Sequence, residues 1–269
     1  MRQRVLALAT AATAVALEPG LAEASYGLYV GKNLTSDGSV YIGGTGDEVS
    51  SHYLRIVPHQ THPADATITV GVTEDASMYG GTDKPGQLTE IPQVPETYTY
   101  ISMTYTNWAG FPPPLTNGGL NEKGVAARDI WSPSRSELIE MTEAPQTGPQ
   151  YSDLARIVMQ RADSARQAVK IVGEMIEKHG FSTYGGNSHM FADANEGWVL
   201  INFAGSQGLW AAERLGPDDV RMSYPGYLGA FPQDYQDDPD YMGSDNLISF
   251  AVEQGWYDPE SGEPFNVHD

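Results

Sequence analysis

Short runs in which apolar and polar residues alternate are the main regularity of the chain. Tyr26, Leu28 and Val30 form the first of these runs, and a turn rich in Ser, Asp and Gly follows it. A period of two predicts β-strands, and clusters of Gly, Pro and Asn between the runs predict turns. We therefore predict strands at 26–30, 40–43, 53–57, 66–72, 97–105, 189–193, 198–203 and 209–213, and a long loop at 74–96.

Two stretches in the middle of the chain have helical periodicity instead. Ser152 is an N-cap candidate for the first helix, and Ser164 begins a capping-box pattern for the second. Gly180 ends the second helix, whose apolar face is formed by Ala165, Ala168, Val169, Val172 and Ile176. A last helix is predicted between Ser244, as its N-cap, and Gly255. Strands, paired helices and further strands predict an α+β fold built in layers.

Composition and charge exclude several kinds of partner. The 269 residues carry a formal net charge of −20 without a cluster of Lys and Arg, so nucleic acid is not an expected partner. The absence of cysteine excludes a thiol nucleophile and a Cys-ligated metal. His52, His59 and His62 share one segment but have no paired carboxylates beside them, so neither a metal site nor a cofactor is predicted.

The first 24 residues have the features of a secretory signal peptide. Two arginines precede an apolar run at 5–17, and Ala22 and Ala24 form a small-residue cleavage site. The apolar run is too short to span a bilayer and no other segment approaches its length, so no membrane span is predicted. We expect 1–24 to be removed and a single domain at 25–269 to be secreted or retained in the cell envelope.

Cleavage after Ala24 makes Ser25 the N-terminal residue. Its hydroxyl and its free α-amine then form a nucleophile and a base within one residue, which is a complete pair for covalent catalysis. A small residue is also common after a signal cleavage site for no catalytic reason. The N-terminus alone leaves both a catalytic and an incidental Ser25 open.

Several motifs, taken in order and with their spacing, resemble those of one enzyme family. They are S-Y-G-L-Y-V-G-K at 25–32, S-D-G-S at 36–39, G-G-T-G-D at 43–47, N-E-K-G-V-A at 121–126, W-S-P-S at 131–134 and Y-G-G-N-S-H-M-F-A-D-A-N-E-G-W at 184–198. Their order is similar to that in the dipeptidases of peptidase family C69, which are N-terminal nucleophile hydrolases. The resemblance covers nearly all of 25–269 and implies an αββα sandwich that hydrolyses dipeptides without a metal or a cofactor.

The chain departs from the motifs of that family at several places. Ser25 stands where the family usually has Cys, and Gly44 and Gly46 stand where it has Arg and Glu, whereas Asp47 is retained. Family members also continue well past residue 269, so the sandwich is expected to be incomplete at its C-terminus, with exposed apolar faces. Two interpretations remain open: an enzyme adapted to a serine nucleophile, and a remnant that has lost its activity.

The resemblance and the residue types together suggest three catalytic residues. Ser25 would attack the peptide carbonyl, with its α-amine as the base. Asp47 would orient that amine or pair with the ammonium of a dipeptide, unless it is only a turn residue. Asn187 is the candidate for holding the oxyanion through its amide, although on residue type alone a turn-forming Asn is the more common case. His189 is given no catalytic task, because the α-amine already serves as the base.

We therefore predict a secreted dipeptidase that forms an acyl-enzyme on Ser25 and acts on a dipeptide or small amide substrate. An amide acylase of the choloylglycine hydrolase or penicillin acylase type is an alternative in the same clan, because such enzymes share the N-E-K-G turn. A truncated, non-catalytic remnant is an alternative of another class. The sequence does not determine the preferred side chains of the substrate or the oligomeric state.

Overall fold

The computed structural model describes residues 25–46, 52–78, 84–105, 110–182, 185–223 and 228–268. Its strands are β1 (Tyr26–Val30), β2 (Tyr41–Thr45), β3 (Tyr53–Val57), β4 (Gln60–Thr61), β5 (Thr67–Val70), β6 (Thr89–Pro92), β7 (Glu96–Thr97), β8 (Tyr100–Tyr105), β9 (Leu115–Asn121), β10 (Ala126–Trp131), β11 (Gly186–Ala192), β12 (Gly197–Phe203), β13 (Trp210–Leu215), β14 (Val220–Ser223), β15 (Ala230–Phe231), β16 (Tyr241–Gly243) and β17 (Phe265–Asn266). Its helices are α1 (Ser136–Met141), α2 (Tyr151–Arg161), α3 (Ala165–His179) and α4 (Leu247–Glu253), with 3₁₀ helices at Lys32–Leu34 and Glu74–Met78.

Two antiparallel sheets form the body of the protein. The large sheet has eight strands in the order β16-β13-β12-β11-β10-β9-β8-β3, and the small sheet has three in the order β14-β1-β2. Three short two-stranded pairs, β4 with β7, β5 with β6 and β15 with β17, accompany them. Side chains alternate between the two faces along each strand, so neighbours in sequence contact different layers.

One face of the large sheet packs against helices α2 and α3. Ser164 accepts a hydrogen bond from the amide of Gln167 at the start of α3, and Gly180, with φ 83°, follows its last residue, as predicted. The buried residues of this layer include Leu154, Val158, Val169, Val172 and Ile176 from the helices and Ala127, Phe191, Trp198 and Leu200 from the sheet. Each large apolar side chain buried here contributes about 1.5–3 kcal/mol to folding.

The other face of the large sheet packs against the small sheet. Gly27 permits a close approach, because a Cβ atom there would lie 2.2 Å from Cδ1 of Ile130 and 2.3 Å from Sδ of Met190. Tyr29, two residues further along β1, is buried and donates a hydrogen bond to the carbonyl of Gly216 at 3.0 Å. β1 therefore lies directly on β10 and β11.

The predicted α+β fold is confirmed, with layers in the order helices, large sheet, small sheet. These correspond to three of the four layers in the αββα sandwich that the resemblance implies. Tyr26 and Leu28, whose alternation predicts β1, lie on the exposed outer face of the small sheet. Gly27 and Tyr29 point inward instead, so the alternation locates the strand but not its buried face.

The segment before and including α2 differs from the prediction. The predicted loop at 74–96 contains β6, which pairs with β5. The N-cap of α2 is Gln150, whose side chain accepts from the amide of Ser152. The hydroxyl of Ser152 accepts from the amide of Thr116 in β9 at 2.7 Å, so the predicted cap instead ties the helix to the large sheet.

The last helix is also capped differently from the prediction. The N-cap of α4 is Asn246, and no side-chain hydrogen bond caps it. The hydroxyl of Ser244 accepts from the amide of Trp210 at 3.3 Å. Ser244 therefore fastens the segment before α4 to β13, while Gly255, with φ 72°, follows the helix as expected.

Candidate active site

Ser25 directly precedes β1, the central strand of the small sheet, and is partly exposed. On its two edges β1 pairs with β2, where Tyr26 faces Thr45, and with β14, where Gly27 faces Ser223. Continuing the alternation of β1 puts residues 25, 27 and 29 on the side that faces the large sheet. This alternation would direct Ser25 between the two sheets, at the end of a strand held on both edges.

Beside the start of β1, the side chain of Arg128 occupies the space that a side chain at position 44 would need. Gly44 in β2 pairs with Gly27 in β1. A Cβ atom on Gly44 would lie 2.5 Å from the carbonyl oxygen of Tyr26 and 2.9 Å from both Cγ and Nε of Arg128. Where the resemblance implies an arginine on β2, this chain presents one from β10, on the opposite sheet.

The guanidinium of Arg128 is buried and poorly paired. Its side chain is 8% exposed, and Nη1 donates to Oδ1 of Asp129 at 3.2 Å. Nε is buried and has no hydrogen-bond partner within the described ranges. Leaving a buried donor unsatisfied costs about 1–3 kcal/mol, and more for a charged group. Arg128 therefore has unused capacity to bind an anion.

His189 is a neutral core residue on the far side of β11. Its Nε2 lies 3.2 Å from the carbonyl of Tyr151 in α2, and its ring stacks on Phe191 with centroids 5.6 Å apart. Burial lowers the pKa of His189 to about 4; the carbonyl of Tyr151 opposes this lowering and the charge of Arg128 adds to it. A neutral, hydrogen-bonded imidazole in the core agrees with the expectation that His189 has no catalytic task.

The structure does not bring Asn187 to Ser25. Asn187 shares the helix-facing side of β11 with His189, and its Nδ2 lies 3.3 Å from Nδ1 of that ring and donates to the carbonyl of Ser188 at 3.0 Å. The alternation of β1 would direct Ser25 toward the opposite face of the same sheet. This placement supports a structural role for Asn187 and gives no support to the predicted oxyanion role. Asp47 lies outside the described residues, so its role stays a prediction.

Two polar residues near the start of β1 have no place in the sequence prediction. Arg128 is one, and Ser223 is the other: it pairs with Gly27, is fully buried, and its Oγ has no hydrogen-bond partner in the described part of the chain. A signal for Arg128 is present in the sequence, because the charged pair Arg128 and Asp129 between apolar residues at 125–130 is unusual for a buried strand. Ser223 gives no comparable signal.

The three histidines considered for a metal site contact different groups. The ring of His52 lies 5.9 Å from that of Tyr105, Nδ1 of His59 lies 3.9 Å from Oε1 of Glu122, and Nε2 of His62 lies 3.2 Å from Oγ1 of Thr97. No group of three or more His, Cys, Asp or Glu side chains among the described residues is arranged to hold a metal ion. The helices in the same ranges are too short or too polar to cross a membrane.

A cavity of about 410 Å³ lies beside the large sheet, beyond the end of β10. Its wall is mostly apolar and includes Ile201 of β12 and Trp256 after α4. The guanidinium of Arg135 lies 4.6 Å from the centre of the Trp256 ring. Ile201 lies in the same row across the sheet as Ile130, the residue beneath Gly27. Ile201 pairs with Ser188 in β11, and Ser188 pairs with Ile130 in β10. The cavity wall therefore includes a strand, β12, that lies two strands from β10 in the large sheet.

Comparison with known families and curated proteins agrees with the resemblance. The model of peptidase family C69 matches residues 24–269. A probable dipeptidase from Salmonella dublin is 33% identical over 182 residues, which cover 66% of this chain and 39% of that protein. A probable dipeptidase from Latilactobacillus sakei is 26% identical over 232 residues, which cover 83% of this chain and 44% of that protein. The chain thus spans less than half the length of these relatives.

Solved structures are more distant. Penicillin V acylase from Agrobacterium tumefaciens has a TM-score of 0.32 and 15% identity, covering 75% of this chain and 50% of the other. A mutant of conjugated bile acid hydrolase from Clostridium perfringens has a TM-score of 0.33 and 12% identity, covering 86% of this chain and 56% of the other. These scores are too low to transfer any detail of a site.

Proposed function

Because the chain belongs to peptidase family C69, we propose that it is a secreted dipeptidase with Ser25 as its N-terminal nucleophile. The observation that supports this most directly is the position of Ser25 before the central strand of the small sheet, on the side that faces the large sheet. Both edges of that strand are hydrogen-bonded, so the nucleophile is held by a rigid element, as catalysis requires. The proposal requires removal of 1–24, which frees the α-amine.

The reaction would proceed in two stages. In the first, the hydroxyl oxygen of Ser25 attacks the peptide carbonyl while the α-amine, with an ordinary pKa of about 7.7–8.0, accepts the hydroxyl proton. The amine passes this proton to the leaving nitrogen, the C–N bond breaks, and the C-terminal amino acid leaves while the N-terminal one stays on Ser25 as an ester. In the second stage, water attacks the ester on Ser25 and its proton returns to the serine oxygen through the same amine. Asp47 would orient the amine in both stages.

The acylase activity is a second candidate, and the cavity near α4 favours it. A mostly apolar space of about 410 Å³ has the size and character of a site for a small apolar group. An acyl chain bound there would belong to an N-acyl amide rather than to a dipeptide. Parallel assays with Ala-Ala and with an N-acyl amino acid that carries an aliphatic chain distinguish the two activities.

The test of the proposal changes the N-terminus itself. Turnover of Ala-Ala, followed by the release of free alanine, is compared among the protein that starts at Ser25, Ser25→Ala, Ser25→Cys and a form with one Gly before Ser25. Loss of the nucleophile, or of the amine as base, should lower kcat by about 100-fold or more. Ser25→Cys should retain or raise turnover, because a thiol is the stronger nucleophile.

Each part of the proposal has its own contrary result. Full activity of the form with the added Gly would exclude the α-amine as base, and full activity of Ser25→Ala would exclude Ser25 as nucleophile. Loss of activity in EDTA would show that a metal takes part. The intact mass of exported protein should correspond to a chain that starts at Ser25, and another start would contradict the export and processing part of the proposal.

A further inference from the structure

We propose that Arg128 binds the free carboxylate of the dipeptide substrate and thereby limits the enzyme to short peptides. This inference rests on the proposed function, and it assigns the part of the site that recognises the substrate. It follows from where the guanidinium lies, from how few of its donors are used, and from the chemical groups around it.

The first step is the position of the guanidinium relative to the nucleophile. The carbonyl oxygen of Tyr26 and Nε of Arg128 lie 2.5 Å and 2.9 Å from one and the same point, the place of a Cβ atom on Gly44. Tyr26 is the residue that follows Ser25. The charge of Arg128 therefore lies near the Tyr26–Gly27 peptide, the second peptide unit after the nucleophile, on the side where the two sheets meet.

The second step is the number of donors that remain unused. A guanidinium carries five N–H donors, and the hydrogen bond from Nη1 to Asp129 at 3.2 Å is the one that Arg128 makes within the described ranges. Its Nε is buried without an acceptor. The side chain keeps 8% of its surface exposed, and the carboxylate would have to bind through that part. A carboxylate fits the edge of a guanidinium, because its two oxygens accept two parallel N–H groups.

The third step is that the residues paired with Arg128 on the two neighbouring strands carry no negative charge. Arg128 pairs with Gly118 in β9 and with Met190 in β11, and neither side chain carries a charge or a strong acceptor. Gly44, on the opposite sheet, has no side chain at all. Among the described residues, the carboxylate that contacts Arg128 is that of Asp129, and it does so through one oxygen.

The length of a dipeptide explains why this position matters. In a dipeptide the free carboxylate lies one residue, roughly 3.5 Å of chain, from the carbonyl that is attacked. A fixed cation next to the strand of the nucleophile can reach a carboxylate only when the peptide ends there. A longer peptide, or an amide, would place a neutral group against a buried charge, and that mismatch costs binding free energy.

Binding measured apart from turnover tests the inference. Calorimetry is done with Ala-Ala and with Ala-Ala amide on the Ser25→Ala protein, which does not consume the ligand. The dipeptide should bind at least about 10-fold more tightly than its amide, because the amide cannot form the charge-assisted hydrogen bond. Adding Arg128→Gln should remove this preference, and adding Arg128→Lys should keep part of it, since the charge remains but the fork is lost.

Arg55→Gln is the matched control, because it removes the same charge from an exposed position in β3 of the same sheet. It should leave the preference for Ala-Ala unchanged, and thermal unfolding of every variant shows that the fold is intact. Equal affinity for the two ligands, no binding of either, or a preference that survives Arg128→Gln would overturn the inference. The two proposals can fail separately. If the protein that starts at Ser25 hydrolyses no dipeptide, but its Ser25→Ala form still shows a preference that depends on Arg128, the proposed function is refuted and the binding site stands.

Discussion

At residue 44, the absence of a side chain leaves the space beside β1 to an arginine from the opposite sheet. Glycine leaves the space into which Arg128 extends, 2.9 Å from the place of a Cβ atom. A positive charge therefore reaches the start of β1 from the opposite sheet. The family motif does not reveal this charge, because the motif concerns the residue at position 44 whereas the charge belongs to Arg128.

His189 makes the stability of the fold depend on pH. Its pKa is 6.5 in its ordinary state and is lowered to about 4 by burial, so the unfolded chain binds more protons than the folded one between these values. The stability linked to this residue is therefore complete above pH 6.5 and is lost as the pH falls toward 4. We expect a loss on the order of 3 kcal/mol in the free energy of unfolding, measured by urea titration at successive pH values.

His189→Gln is the control for this prediction. Glutamine can donate to the carbonyl of Tyr151 and accept from Asn187, and it does not titrate. Subtracting the two pH profiles removes the contribution of acidic groups, including Asp153, whose pKa burial raises. The profile of the variant should be flatter between pH 4 and 6.5. Parallel profiles would show that His189 is not held in the neutral state by the fold.

The two glycines at the end of β2 allow the contact between the sheets to be tested directly. A Cβ atom on Gly44 would lie within 3 Å of both the Tyr26 carbonyl and Arg128, whereas one on Gly43 would meet no atom within 4 Å. Gly44→Ala should therefore lower the free energy of unfolding by about 1–3 kcal/mol and weaken the preference for Ala-Ala over its amide. Gly43→Ala should be neutral or slightly stabilising, by up to about 1 kcal/mol. Equal urea midpoints for the two variants would contradict the close approach of Arg128.

Periodicity predicts most elements but not how their ends are satisfied. The strands at 26–30 and 53–57 and the helix at 165–179 follow from spacing, because periods of two and 3.6 are properties of the backbone itself. The caps of α2 and α4 do not follow. Ser152 bonds to Thr116 and Ser244 bonds to Trp210, and both partners are distant in sequence, so tertiary contacts override the local preference.

For the whole molecule, the layers can be predicted, but the site can be predicted only in part. Ser25 can be proposed from the sequence because its chemistry is contained in one residue, and its role as nucleophile stays a prediction. The face toward which Asn187 points cannot be predicted from the sequence, because it depends on the register of β11, and a shift of one residue would reverse that face. Arg128 reaches the start of β1 only because β10 packs beneath it, which requires the complete arrangement of two sheets.

Apolar rows on the surface lead to a prediction about the behaviour of the protein in solution. On the large sheet Ile56 pairs with Ile101, which pairs with Leu120, and their exposures are 71%, 42% and 48%. The small sheet exposes Val220 and Met222 at 62% and 63%. Contiguous apolar patches promote association, so we expect the protein to bind ANS and to self-associate as its concentration rises.

The row across β3, β8 and β9 provides the sharpest version of this test. Ile56→Thr combined with Ile101→Thr keeps β-branched side chains in the strands but removes apolar surface, so ANS fluorescence and the mass measured by light scattering should both fall. Leu34→Thr is the control, because Leu34 is 51% exposed in a separate 3₁₀ helix that does not belong to the row. A protein that is monomeric at high concentration and does not bind ANS would contradict the prediction. The exposed apolar row would then have no effect on association.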